Sequence, residues 1–254
     1  MKFTHAIVRP PGRSFVNGLS TANLGVPDYG LALHQHAAYV QALKTCGLQV
    51  TALPPDDDYP DSTFVEDTAL LTPACAIILR PGAPSRRGET ESIEPVVKRF
   101  YTDIGHIHAP GTADGGDVMM AGNHYFIGLS GRTNRDGAEQ ILSILTDRGM
   151  SGSLVPLGDV LHLKSAIAYV ENQTVVASGE LSTRPEFGVY RMIQIDSAEQ
   201  YAANCLWING TVMVPAGYPK AESAIIAAGY RTIVLDTSEF RKLDGGLSCL
   251  SLRF

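Results

Sequence analysis

With 254 residues, 44% of them hydrophobic, the chain can bury a large core as one domain, and 25 glycines and 15 prolines spread along it point to short elements joined by turns. A net charge of -6 with no basic block removes the electrostatic footing for nucleic-acid binding and suits a cationic small molecule better. No apolar run approaches the ~20 residues of a membrane span, and Cys46, Cys75, Cys205 and Cys249 form no CxxC pair, so membrane, zinc-ribbon and disulfide readings fall away.

Met1 to His5 leads into a strand-like run without a leader-like segment, so a cytoplasmic setting with reduced thiols is expected. The first strand covers residues 6–10. A helix is predicted over 31–46, with Ala37, Val40 and Leu43 on its apolar face and Gly47 as its stop. Asp56, Asp57 and Asp58 after two prolines read as a solvated acidic turn rather than a metal site. Further strands are predicted over 76–81, 125–128, 174–179 and 211–217, and helices over 92–100, 135–146 and 219–228. The strands recur at an irregular spacing centred near about 50 residues, which suggests five related strand–helix units and an α/β fold. A Rossmann-like sheet is the alternative, weakened by the missing GxGxxG; HExxH and Walker A patterns are missing as well.

Several residues could carry chemistry, and each also has a plain structural reading. Cys249 follows Gly245 and Gly246, which would let the backbone present the next side chains into a pocket; it also reads as a buried, inert cysteine. A nucleophilic cysteine needs a proton-handling partner. Among seven histidines, His34, His36, His106, His108 and His124 read as surface residues, whereas His162 lies between two leucines and, like His5, reads equally as a satisfied core histidine. Asp61, Glu66 and Asp67 surround apolar Phe64 and Val65, where unpaired carboxylates would be costly. In Asp114-Gly115-Gly116-Asp117, the glycines would allow a tight turn that fixes one carboxylate inside the fold. Arg86 and Arg132 each follow a repeated strand and offer forks for a carboxylate. One nucleophile, one base, acids for a cation and arginines for a carboxylate match an amino acid with a cationic side chain.

The runs around Phe64–Asp67, Arg80–Arg87, Asp114–Asp117, Arg132, His162, Ala202–Cys205 and Asp244–Cys249, taken in order, closely resemble dimethylarginine dimethylaminohydrolases, within the wider group of guanidino-modifying enzymes. The resemblance runs essentially end to end. It implies a single domain spanning residues 1–254, folded as a five-bladed α/β propeller (pentein fold) around a central pocket. It further implies hydrolysis of Nω-methylated arginines to citrulline through a covalent S-alkylthiouronium, with Cys249 as nucleophile, His162 as general acid and base, and Asp114 orienting His162. Some relatives have glutamate at 114 and others aspartate, and one fewer methylene shortens the reach to His162. Asp61, Glu66 and Asp67 would face the substrate's cationic ends, Arg86 and Arg132 its α-carboxylate, and the carbonyls of Leu19 and Leu243 its α-amino group. No cofactor and no metal are implied, and zinc on Cys249 and His162 would inhibit. The expected partner is the small-molecule substrate, with no nucleic acid or membrane; a homodimer is one arrangement left open. Arginine deimination, or binding of methylarginine without turnover, are the alternatives.

Overall fold

The computed structural model describes residues 2–158 and 160–254; Asp159, in the run leading to His162, and Met1 lie outside the described residues. The chain opens with β1 (His5–Val8), α1 (Tyr29–Thr45) and β2 (Gln49–Ala52). A second unit follows as β3 (Ala69–Leu71), β4 (Ala76–Ile78), α2 (Glu89–Val97) and β5 (Ile104–His106), and a third as β6 (Val118–Ala121), β7 (His124–Leu129), α3 (Arg135–Thr146) and β8 (Ser151–Pro156). The fourth has β9 (Ile167–Tyr169), β10 (Thr174–Ser178) and β11 (Arg191–Ile195), with 3-10 turns at Gly179–Thr183 and Pro185–Phe187 where the others have a helix. Pro185 and the Ser182-Thr183 pair account for that substitution, since neither favours a helix interior. The fifth unit is β12 (Leu206–Ile208), β13 (Thr211–Pro215), α4 (Pro219–Ala227) and β14 (Arg231–Leu235), after which α5 (Ser238–Arg241) leads to β15 (Leu252–Arg253).

Five three-stranded sheets result among the described residues, each with one antiparallel and one parallel pair. The first sheet borrows its inner strand from the far end of the chain, because β15 pairs with β1. This is the five-bladed propeller that the resemblance implied. The central strands β1, β4, β7, β10 and β13 are the five repeated runs, and their continuous apolarity has a simple cause. Successive side chains point to opposite faces, so Val175 and Ala177 enter the seam between the third and fourth blades while Val176 enters the next one. Ile7 likewise faces the second blade, while Ala6 and Val8 face the fifth.

The helices mostly lie where the periodicity placed them. The α3 bounds agree, with Ala138, Ile141 and Leu145 buried as expected. Three residues earlier than predicted, α2 begins directly after Gly88. On α1 the buried face is Ala32, Gln35, His36, Tyr39, Ala42 and Leu43, so Ala37 points outward, contrary to the predicted face. Two buried polar residues disguised it: Gln35 bonds Ser238 and the Glu239 N–H. His36, read as a surface residue, is buried, and burial lowers its pKa to about 4. Asp57 and Asp58 are exposed as expected, while Asp56 pairs with buried Arg9 at 3.4 Å.

Candidate active site

A short 3-10 turn stands before each inner strand: Val65–Thr68 before β3, Gly115–Asp117 before β6, Leu163–Ser165 before β9, Ser197–Ala203 before β12 and Ser248–Leu250 before β15. The repeat carries these turns to one end of the axis. Val65–Thr68 meets both Ser248–Leu250 and Gly115–Asp117, and the latter meets Leu163–Ser165. Among the polar or reactive residues that these turns carry or adjoin are Asp67, Asp114, His162, Asn204 and Cys249. Leu19, Asp61, Asp67, Arg86, Arg132, His162, Leu243 and Cys249 together line one cavity of about 30 Å³. The larger axial cavity, about 120 Å³, is lined mainly by the inner strands on the other side of the ring of turns.

Cys249 is partly exposed, and its Sγ accepts the Gly246 N–H at 3.4 Å. Burial of the sulfur, together with the charges of Glu66 and Asp67, pushes its pKa up to about 12. The preceding glycines serve close approach rather than unusual torsion, since it is Asp244 that takes the left-handed φ of 59°. A Cβ at Gly245 would overlap the Phe64 ring, and one at Gly246 would stand 2.5 Å from Asn204 Oδ1. Asp244 Oδ2 accepts the Thr21 N–H at 2.5 Å and Oγ1 at 3.0 Å, and Ser20 Oγ donates to the Lys242 carbonyl at 2.6 Å. These bonds tie the segment after Leu19 across the mouth.

His162 and Asp114 meet at 3.0 Å between Nε2 and Oδ2, so the shorter carboxylate does reach. Asp114 Oδ1 accepts the Gly82 N–H at 2.8 Å, which fixes the carboxylate plane. Burial of His162 works against protonation, but Asp67, the Asp114 hydrogen bond and Asp117 outweigh it and raise its pKa to about 9. Burial of Asp114 acts upward, yet the His162 hydrogen bond and charge hold its carboxyl below the usual range. A Cβ at Gly116 would lie 2.8 Å from His162 Nδ1, so glycine is what lets the ring sit against this turn. Ligand-type atoms of Asp67, Asp114 and His162 lie within 4.8 Å of one another, but Arg86, the Gly116 N–H and the His162–Asp114 bond already engage them.

The remaining expected residues divide. Asp67 accepts the Gly116 N–H at 2.9 Å and Arg86 at 2.6 Å. Asp61 accepts the Leu19 N–H at 3.0 Å; burial raises its pKa against the pull of Arg86. Arg86 is buried, and its donors go to Asp67, to both oxygens of Glu89 and to the Asp61 and Phe64 carbonyls. Its fork is therefore tied into the wall, not left open for a ligand. Arg132 also lines the cavity, 3.9 Å from Asp114. Glu66 does not join the lining: Lys164 at 2.7 Å, Arg253 at 2.8 Å and Ser248 Oγ at 2.8 Å hold it at the end of the axial cavity.

A family model for arginine deiminase matches residues 56–207. The chain is 54% identical to N(G),N(G)-dimethylarginine dimethylaminohydrolase of Pseudomonas aeruginosa, over 99% of this chain and all of that one. It is 36% identical to the Streptomyces coelicolor protein of the same name, over 98% and 96% of the two chains. The chain belongs to the dimethylarginine dimethylaminohydrolase family. A Pseudomonas aeruginosa dimethylarginine dimethylaminohydrolase, a cysteine-to-serine mutant complexed with citrulline, superposes with a TM-score of 0.99 over all of both chains at 54% identity. A histidine-to-glycine dimethylarginine dimethylaminohydrolase adduct with S-methyl-L-thiocitrulline gives 0.98, over 99% of this chain and all of that one. The N-terminal domain of the cyanobacterial arginine dihydrolase ArgZ, at 17% identity and a TM-score of 0.90, shares the fold.

Around this dimethylarginine dimethylaminohydrolase site stand residues that sequence reasoning did not single out. Asn204 Oδ1 accepts the Ser248 N–H, and its Nδ2 donates to the Lys164 carbonyl and Ser248 Oγ, so it steadies the turn that carries Cys249. Tyr201 donates to the Gly245 carbonyl at 2.8 Å. Asn204 and Ser248 sit inside motifs that carried the family resemblance, and that was the only signal the sequence held for them.

Proposed function

We propose that the chain hydrolyses Nω,Nω-dimethyl-L-arginine to L-citrulline and dimethylamine through a covalent adduct on Cys249, and that Nω-monomethyl-L-arginine is turned over in the same way. The observation that carries this reading is one cavity lined by Cys249, His162, two buried carboxylates and Arg132. Asp67 and Asp61 supply negative charge for a guanidinium and an ammonium group, the Leu19 and Leu243 carbonyls suit the α-amino end, and Arg132, rather than Arg86, suits the α-carboxylate.

The guanidinium carbon is a poor electrophile because its charge is delocalised, so attack needs a fixed cation and a thiolate. Burial and the nearby carboxylates hold Cys249 as a thiol; the substrate's positive charge offsets them, and the thiol proton passes to solvent to leave the thiolate. Sulfur then bonds to the guanidinium carbon. The imidazolium of His162 gives its proton to the departing nitrogen, dimethylamine leaves, and an S-alkylthiouronium remains. Neutral His162 next takes a proton from water, the hydroxide adds to the same carbon, and the C–S bond breaks as the added hydroxyl gives up its proton to solvent, which returns the thiolate and citrulline. Asp114 keeps the imidazole oriented throughout.

Citrulline release from asymmetric dimethylarginine, monomethylarginine and arginine, measured in parallel with a chelator present, tests the proposal. Turnover of the methylated substrates over arginine is expected. Turnover of arginine alone would move the assignment to a deiminase, and release from none would leave only the fold.

A further inference from the structure

Asp117 is fully buried and stands outside the cavity lining. Its oxygens nevertheless reach three parts of the machinery. Oδ1 accepts the N–H of Leu163, the peptide directly after His162, at 3.0 Å. Oδ2 accepts Thr133 Oγ1 and Ser130 Oγ, each at 2.6 Å. Thr133 Oγ1 in turn accepts the backbone N–H of Asp114 at 3.1 Å. Ser130 Oγ accepts the N–H groups of Arg132 and Thr133 at 3.0 and 3.1 Å.

A buried carboxylate needs compensation, and among the described residues its hydrogen-bond donors are two hydroxyls and one amide, with no lysine or arginine paired to it. Asparagine would set an NH2 donor where Oδ2 accepts both hydroxyls, so a carboxylate is the group of this length that accepts all three bonds and ties the three segments together. Its charge also acts on His162 as a neighbouring negative charge.

We infer that Asp117 is a positioning residue for the hydrolysis, setting the His162–Asp114 pair and the Arg132 turn in one register. Only the kinetic arm of its test rests on the proposed dimethylarginine activity. Asp117→Asn keeps the shape and the acceptor for Leu163 while removing the charge and turning the Oδ2 acceptor of the Ser130 and Thr133 hydroxyls into a donor. Wild type and variant are compared in citrulline release from dimethylarginine, in thermal melting, and in the NMR titration of His162, whose signal is identified by its loss in His162→Gly. The groups facing His162 in that titration are Asp67, Asp114 and Asp117, with Arg86 and Arg132 beyond them.

The expected result is a kcat reduced at least about tenfold, more than KM changes, with the His162 titration moved to lower pH. Thr133→Val, which cuts the link to Asp114 without touching a reacting group, should reproduce much of the loss, and Thr133→Ser should restore it. An Asp117→Asn protein that melts lower yet keeps its kcat and its His162 titration would overturn the inference and leave Asp117 a purely structural group. If wild type itself releases no citrulline, the functional reading fails and the titration decides: an unmoved His162 rejects the role. If Asp117→Asn does not fold, Thr133→Val decides by the same titration and kinetics, and unchanged values reject it.

Discussion

With the Cys249 thiol pushed up to about 12 and His162 held at about 9, the unliganded pair is a neutral sulfur in a site whose histidine is already an imidazolium. In the proposed reaction, the acid for amine departure is therefore in place before substrate arrives, while the thiolate is not. Alkylation of Cys249 by iodoacetamide should accordingly be slow at pH 7 and climb continuously toward pH 10; a rate already level at pH 7 would mean a resting thiolate. His162 also links pH to stability. Its folded pKa, about 9, lies above the ordinary 6.5, so its contribution is fully present below about 6.5 and is lost as pH rises through about 9. Unfolding free energies of wild type and His162→Asn, taken from urea titrations, should therefore converge across that window by on the order of 3 kcal/mol. An unchanging gap from pH 6 to 9.5 would count against a charged His162. Neither value was legible in the sequence, because the first arises from burial with Glu66 and Asp67, and the second from Asp67, Asp114 and Asp117 outweighing burial, all of them brought about by folding.

At the scale of elements, the site depends on turns that press against one another without room for a Cβ. Gly116→Ala should cost at least about tenfold in kcat and roughly 1–3 kcal/mol in stability, because the methyl must displace the His162 ring or the turn itself. Gly47→Ala is the contrast. That glycine ends α1 at a φ of 90° with open space around it, so alanine there should lower stability by about 1 kcal/mol and leave citrulline release unchanged. Kinetics and chemical denaturation of both variants check the pair. The sequence placed α3 well because its apolar residues are cleanly periodic, whereas Gln35 and His36 blurred the face of α1 by being buried and polar. Arg86 illustrates the same limit: its type suggested an open fork, and only the packing of Glu89 and Asp67 around it revealed a closed one.

Over the whole molecule, closure of the ring rests on a two-residue strand. β15 completes the first sheet, Leu252 fills the seam between the first and second blades, and the Phe254 carbonyl accepts the N–H groups of Thr4 and His5, both at 2.8 Å. Arg253 reaches back to Glu66 beneath the nucleophile's turn. A chain ending at Leu250 should therefore lose several kcal/mol, melt at least about 10 °C lower and release no citrulline, although it retains every residue of the cavity lining. Melting within 2 or 3 °C of the full chain would show that the ring holds without this strand. The intact protein is expected to unfold in one transition by calorimetry, as one domain should.

The sequence by itself determined the five central strands and most of the helices, because apolar periodicity is a local property that survives in one dimension, while Cys249 and His162 were singled out as a reactive pair by the family resemblance. Tertiary structure alone decided which side chains share the cavity. Glu66 and Asp67 are neighbours in sequence, yet one is held at the axial cavity by Lys164 and Arg253 and the other lines the reactive one. That division follows from the turn before β3, which sends successive side chains to opposite sides of a ring that exists only once β15 has closed it.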